Sequence, residues 1–280
     1  MKNLSSFKAR RSLGQNFLHN LDVVQDIIRV AKIRKDETVL EIGPGMGVLT
    51  DTLLKAGACV IAIEKDARLI PELEQKFAKE IADNKLTLIQ GDVLDFDILS
   101  LFSPSTGSGR LTYKLIANIP YYITGEILRK FLTAEHQPSR MVLLVQKEVA
   151  ERITDTRESI LSLSVKAYGT PSIVRYVSRN DFVPVPDVDS AVILIENISR
   201  EFFQGIGSPS GDPISKLGCE QRFFDLIKKG FAHKRKKLSS NLALGGFTSK
   251  LMGNRRAEEL SLNDWFELYE TYEQDKGAQD

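Results

Sequence analysis

TVLEIGPGMGVLTDTLLK runs from Thr38 to Lys55. Its first five residues, Thr38–Ile42, form a short apolar β-type run, Gly43-Pro44-Gly45-Met46-Gly47 is a turn, and Val48–Lys55 carries apolar residues at helical spacing. Strand, glycine turn and helix in that order open a βαβ unit, in which strands buried on both faces read as nearly continuous apolar runs. A second such run, Cys59–Ile63, ends at Glu64 and leads into a polar stretch, Asp66–Ile81, with Leu69, Leu73, Phe77 and Ile81 on one helical stripe.

Further strands are predicted at Leu86–Gln90, Tyr113–Ala117 and Met141–Val145, with helices marked by Ile123, Ile127, Leu128 and Phe131 and by Lys147–Asp155. The composition of Ser103–Gly109 (SPSTGSG) suits a surface loop. Ile173–Val177 and Ala191–Ile195 follow one another with no helix between them, only the proline-bearing segment Asn180–Asp189, so they are expected to pair antiparallel. The fold class is therefore α/β: a Rossmann-like sheet, mostly parallel with one antiparallel strand. After Glu196 the composition turns to Gly, Ser and Pro (Gly205–Pro213), and the rest has helical periods. This divides the chain into a domain over 1–200, a linker over 201–213 and a small helical domain over 214–280.

Composition narrows the chemistry. The two cysteines, Cys59 and Cys219, make no disulfide framework, and with only His19, His136 and His233 no metal-ligand spacing appears, so no metal is expected. No apolar run approaches the ~20 residues of a membrane span, and the basic beginning (MKNLSSFKARRSLGQNF) lacks the apolar core of a signal peptide; a cytoplasmic address is expected. The net charge of +1 conceals an asymmetry: residues 258–280 hold eight acids against Lys276, and residues 1–257 carry +8. The body of the protein is basic, which suits a nucleic-acid partner. No helical stripe is left over for self-association, and a monomer is expected.

Four features point to a site. In the glycine turn, Gly43 and Gly45 would let backbone approach a ligand beside a helix N-terminus, although the Gly-x-Gly-x-Gly spacing also suits a plain tight turn. Glu64, at the end of the second strand, stands where a doubly wound sheet places an acid on ribose hydroxyls. Asp92, past the third strand, either accepts from an adenine amine or caps a turn. The most telling feature is Asn118-Ile119-Pro120-Tyr121, at the end of the fourth strand. An exocyclic aromatic amine is a weak nucleophile until its nitrogen pyramidalises. The Asn118 side-chain oxygen and the Ile119 carbonyl would accept its two hydrogens, Pro120 would fix the turn, and Tyr121 would offer a stacking face. A strand-ending Asn-x-Pro turn with a core tyrosine is the alternative.

Together with the run RSLGQNFL (Arg11–Leu18), EIGPGMGVLT (Glu41–Thr50), QKEVAERI (Gln146–Ile153) and FVPVPDVDSAV (Phe182–Val192), this tetrapeptide resembles the ribosomal RNA adenine dimethyltransferases, most of all the bacterial small-subunit (16S) branch. The resemblance implies S-adenosyl-L-methionine as cofactor and twofold methylation of the exocyclic nitrogen of two adjacent adenosines near the 3′ end of small-subunit rRNA, on assembling small subunits. It further implies that Asn16 and Leu18 line the cofactor pocket, that Gly43 underlies the methionine moiety, that Glu64 holds the ribose and Asp92 the adenine. Asn118 would then lie between cofactor and target, with Tyr121 and Phe182 stacking the extruded adenine. One departure is Asn20, where the family commonly has an acid; Asp22 is the nearest carboxylate.

For RNA contact the expected residues are Arg10 and Arg11 with Lys228, Lys229, Lys234, Arg235, Lys236 and Lys237, a run that reads equally as a solvated face. Phe224, Ile227, Phe231 and Leu238 form an apolar stripe in the same segment, and Phe223, Trp265, Phe266 and Tyr269 are read as helical-domain core. Three other readings stay open: a large-subunit (23S) rRNA adenine methyltransferase conferring antibiotic resistance, a non-catalytic ribosome assembly or transcription factor, and a nicotinamide oxidoreductase, which the glycine spacing disfavours.

Overall fold

The structure is a computed structural model that describes residues 9–10, 13–102, 112–204, 215–233, 235–242 and 252–277. The predicted Ser103–Gly109 loop and Gly205–Pro213 linker, and the residues Arg11 and Lys234, lie outside the described residues. The chain divides into two compact units, Met1–Ala150 with Thr170–Ile198, and Glu151–Gly169 with Ser199–Asp280. The second unit thus takes in 151–169, a stretch placed in the first domain on sequence grounds.

The first unit begins with β1 (Phe17–Leu18) and α1 (Leu21–Ala31), the latter unassigned by the sequence reading. Asn20 caps α1 by accepting from the Asp22 amide (2.9 Å), and its own amide donates to Asp181 (2.9 Å). An acid at this position could cap but could not donate, so asparagine here serves both ends of the contact. The sheet strands follow: β2 (Thr38–Ile42), β3 (Cys59–Glu64), β4 (Leu86–Gln90), β5 (Lys114–Asn118), β6 (Arg140–Gln146), β7 (Thr170–Val177) and β9 (Ser190–Glu196), with the two-residue β8 (Phe182–Val183) pairing β1 instead.

The sheet order is β4-β3-β2-β5-β6-β9-β7. All pairs from β4 to β6 are parallel, and β9 runs antiparallel to both of its neighbours, the single reversed strand expected. The chain winds outward from β2 through β3 to β4, then returns to β5 on the other side of β2, which makes the β2–β5 boundary the topological switch point. Register brings Ile42 level with Ile63 and Ala117, and Glu64 level with Gln90, so the carboxyl ends of four strands meet at one edge.

Helix α2 (Val48–Lys55) has the predicted bounds. The predicted helix over Asp66–Ile81 is instead two, α3 (Ile70–Lys76) and α4 (Ala78–Ala82). Pro71 sits in the first turn of α3, where its missing N–H costs nothing, and Phe77 breaks the helical path at φ −113° and ψ 26°. Its ring lies beneath the glycine turn: a Cβ on Gly47 would come within 2.6 Å of it. Helices α5 (Thr124–Leu132) and α6 (Lys147–Thr154) flank β6 in sequence.

The second unit is helical: α7 (Ile160–Lys166), α8 (Glu201–Gln204), α9 (Ser215–Gly230), α10 (Leu238–Leu242) and α11 (Leu262–Gly277). Ser159 and Ser162 form a reciprocal capping box at the start of α7. Phe202, Phe203, Phe223 and Phe224 pack edge to face or tilted, with Tyr168, Phe266 and Tyr269 against them. Trp265 is fully buried and stacks on Phe231, and these aromatics form the core of the unit, as expected.

Candidate functional site

At the switch point lies a cleft lined by residues from the carboxyl ends of β2, β3, β4 and β5 and roofed by Leu13–Phe17. The glycine turn forms its floor, with Gly43 at φ +68° and Gly45 at φ +56°, conformations that side chains with a Cβ rarely adopt. Gly45 also faces the roof directly: a Cβ there would meet the Phe17 ring at 3.0 Å. From below, Lys76 Nζ donates to the carbonyls of Met46 (2.8 Å) and Gly47 (3.0 Å), pinning the turn.

Glu64 is buried in the wall, where its carboxylate accepts from the amides of Gly45 (3.1 Å) and Asp66 (2.8 Å). Burial raises its pKa above the ordinary range, and these amide hydrogen bonds oppose the shift. A carboxylate has about four acceptor sites, so these amides, with that of Lys65 also directed at Glu64, still leave room for a hydroxyl donor. Asp92 accepts from the Leu94 amide (3.0 Å), capping a short 3₁₀ turn, and pairs with Lys65. Burial pulls its pKa up, but the Lys65 ammonium and the Leu94 amide outweigh it and hold it low. Capping and lining are compatible here, because Asp92 also faces the cleft.

Asn118 donates through Nδ2 to the Asn16 carbonyl (3.0 Å), which leaves its Oδ1 to accept from elsewhere. Ile119, Pro120 and Tyr121 continue the wall. The Tyr121 hydroxyl shares a hydrogen bond with Ser190 Oγ (2.7 Å), and burial raises its pKa. Asn16, Gly43, Gly45, Glu64, Asp92 and the tetrapeptide Asn118–Tyr121 therefore converge on one cleft.

Two expected residues do not. Leu18 is 9% exposed and belongs to the hydrophobic core, and Phe182 is 1% exposed in the same core. The reason is the β1–β8 ribbon, in which Leu18 sits opposite Phe182. Alternation along β1 sends Leu18 inward and Phe17 over the glycine turn, so Phe17 takes the lining position. Sequence reasoning also passed over Gln15, Lys65 and Tyr122, which line the cleft. Tyr122 is 58% exposed, and a second tyrosine directly after the tetrapeptide was the signal the sequence offered.

In the helical unit, Lys228, Lys229, Arg235, Lys236 and Lys237 are exposed, while Ile227 and Leu238 of the same segment are buried. The stripe packs and the cations face outward. Arg10 is exposed at the start of the described roof segment. Among the described residues, no group of His, Cys, Asp and Glu gathers as a metal site would require, and no helix is long and apolar enough to cross a membrane.

A seven-stranded sheet with this order, one reversed strand and a glycine-floored cleft at its switch point is the arrangement of class I methyltransferases. A dimethyladenosine transferase from Plasmodium falciparum shares it, at a TM-score of 0.73 and 24% identity over 93% of this chain and 98% of that one. So does the 23S rRNA methyltransferase ErmE, at 0.69 and 23% over 92% and 100%. Sequence narrows the class. The ribosomal RNA adenine dimethylase model matches residues 6–274, and the ribosomal RNA small subunit methyltransferase A of Dehalococcoides mccartyi is 38% identical over 274 residues, covering 93% of this chain and 87% of that protein. The chain belongs to the ribosomal RNA adenine dimethylase family.

Proposed function

We propose that this protein uses S-adenosyl-L-methionine to dimethylate the exocyclic nitrogen of two adjacent adenosines near the 3′ end of small-subunit rRNA, as a step of small-subunit assembly. The observation that carries the reading is the meeting of Gly43, Gly45, Glu64, Asp92 and Asn118 in one cleft, with the acceptor oxygen of Asn118 unengaged among the described residues. The residues present fit the cofactor: a cleft at the carboxyl ends of four strands, a floor where a side chain would strike Phe17, and a buried carboxylate with spare acceptor capacity.

In this reading Glu64 accepts from the ribose hydroxyls, Asp92 from the adenine amine, and the glycine turn and Asn16 flank the methionine end. The cofactor supplies a methyl group already activated on a sulfonium, so the chain needs alignment more than a strong base. Asn118 Oδ1 and the Ile119 carbonyl accept the two hydrogens of the target amine and turn its lone pair toward the methyl group. Tyr121 holds the extruded base by its face, and the Ser190 hydrogen bond sets that ring's orientation. Arg10 and Arg11, with the basic run Lys228, Lys229 and Lys234–Lys237, engage phosphates. The protein acts as a monomer in the cytoplasm.

The test is transfer of labelled methyl groups to unmethylated small subunits, with naked large-subunit rRNA in parallel. Incorporation into small subunits is expected, and incorporation confined to the large-subunit RNA overturns the substrate assignment. Asn118→Ala is expected to lower kcat by about 10²–10³ while S-adenosylhomocysteine affinity changes less than about tenfold.

A further inference from the structure

The roof of the cleft, Leu13–Phe17, is tied to the wall by side chains from both sides: Asn118 of the wall donates to the Asn16 carbonyl (3.0 Å), and Gln15 of the roof reaches Asp66. Gln15 Nε2 donates to Asp66 Oδ2 (2.8 Å), and Gln15 Oε1 accepts from the Arg10 amide (2.8 Å). Asp66 is itself fixed: its side chain is 1% exposed, Arg68 grips both carboxylate oxygens, with Nε on Oδ1 (2.9 Å) and Nη2 on the same Oδ2 that Gln15 reaches, and its amide donates to Glu64 (2.8 Å). One line of hydrogen bonds therefore runs from the carboxylate assigned to the ribose, through Asp66 and Gln15, to the backbone amide of Arg10.

We infer that Gln15 and Asp66 are positioning residues, a latch that holds the N-terminal segment closed over the cofactor and sets cofactor retention without touching the reacting atoms. The inference rests on the cofactor reading above. An uncharged donor reaching a buried carboxylate is the kind of contact whose loss is costly, because the carboxylate keeps its burial and loses a partner. The bond can also be reversed. In Gln15→Glu with Asp66→Asn the donor sits on the wall and the acceptor on the roof, the Arg10 amide still finds an oxygen at position 15, and Arg68 Nε keeps one at position 66. Arg68 Nη2, which loses Asp66 Oδ2, is left the carboxylate introduced at position 15 as its partner.

The experiment measures S-adenosylhomocysteine binding to the full chain by calorimetry, and trypsin cleavage after Arg10 without ligand. Gln15→Met and Gln15→Glu should each weaken binding about five- to thirtyfold and speed that cleavage, with thermal midpoints near wild type. The Gln15→Glu/Asp66→Asn pair should return to within about threefold of wild type, a rescue that a merely structural loss would not show. At saturating cofactor, kcat of Gln15→Met should stay within about twofold, so that the effect falls on KM. Wild-type binding and cleavage in Gln15→Met, or a double variant as weak as the weaker single one, overturns the latch. Failure of the wild type itself to bind S-adenosylhomocysteine overturns the cofactor reading and the latch with it.

Discussion

Glu41 lies in the middle of β2 with no exposed surface, and neither of its carboxylate oxygens meets a hydrogen-bond partner among the described residues. Burial, with the charge of Glu64 adding to it, pushes its pKa up from 4.5 to about 8, and the neighbouring Thr50 and, less so, Lys76 only partly oppose this. The folded protein thus holds a proton that the unfolded chain gives up. The stabilisation is complete below about pH 4.5 and is lost as pH rises through about 8, at up to about 1.4 kcal/mol per pH unit. Glu41→Gln cannot ionise and should flatten that decline, which urea midpoints at about pH 6 and about pH 9 will show. Parallel profiles for the two proteins would place the proton elsewhere. Phe182 calls for a second comparison. Its burial makes it a packing residue, so Phe182→Ala should cost about 3–5 kcal/mol of stability, whereas Tyr121→Leu should cost less and remove methyl transfer. Equal stability of Phe182→Ala and wild type would refute this placement.

Among the elements, the glycine turn is where sequence and structure agree most closely, since a strand, a turn and a helix adjacent in the chain carry their own signals. Gly47 shows how tightly the turn is built, with φ at +71° and Phe77 where a Cβ would go. Gly47→Ala should lose about 2–3 kcal/mol in urea unfolding, from left-handed strain together with overpacking. It should also weaken S-adenosylhomocysteine binding, and an unchanged midpoint would show that Phe77 yields freely. The site was legible for the same local reason: Gly43, Glu64, Asp92 and Asn118 all stand at strand ends. What was not legible depends on distant pairing. Leu18 and Phe182 face inward because two-residue strands 165 positions apart form a ribbon, and no period can be read from two residues. The break between α3 and α4 has a different origin, because Phe77 continues the apolar stripe and leaves it only to fill the space under Gly47. By contrast α1 had its signal, with Val23, Val24, Ile27 and Ala31 on one buried stripe.

For the whole molecule, charge and core are distributed differently between the two units. The only tryptophan, Trp265, is buried in the helical unit, so its emission reports on that unit alone, while far-ultraviolet circular dichroism reports on both. Gly230 abuts it closely enough that a Cβ would come within 2.3 Å of the indole. The same helix ends in Lys228 and Lys229, and among the described residues Lys228 pairs only with Asp225, at 3.3 Å between two solvent-exposed side chains, a contact that water and salt screen readily. These cations are therefore free to exchange that partner for phosphates. If they do, the affinity for small-subunit rRNA should fall linearly with the logarithm of salt concentration, losing about 0.7 to 0.9 in slope for each phosphate contact removed. Lys228→Ala/Lys229→Ala should then bind more weakly at low salt and show a slope shallower by roughly 1.5. Trp265 emission and S-adenosylhomocysteine affinity should stay at wild-type values, since neither lysine is packed in a core. An unchanged salt slope would mean that the run is a solvated face, and that the +8 of residues 1–257 meets RNA through other cations.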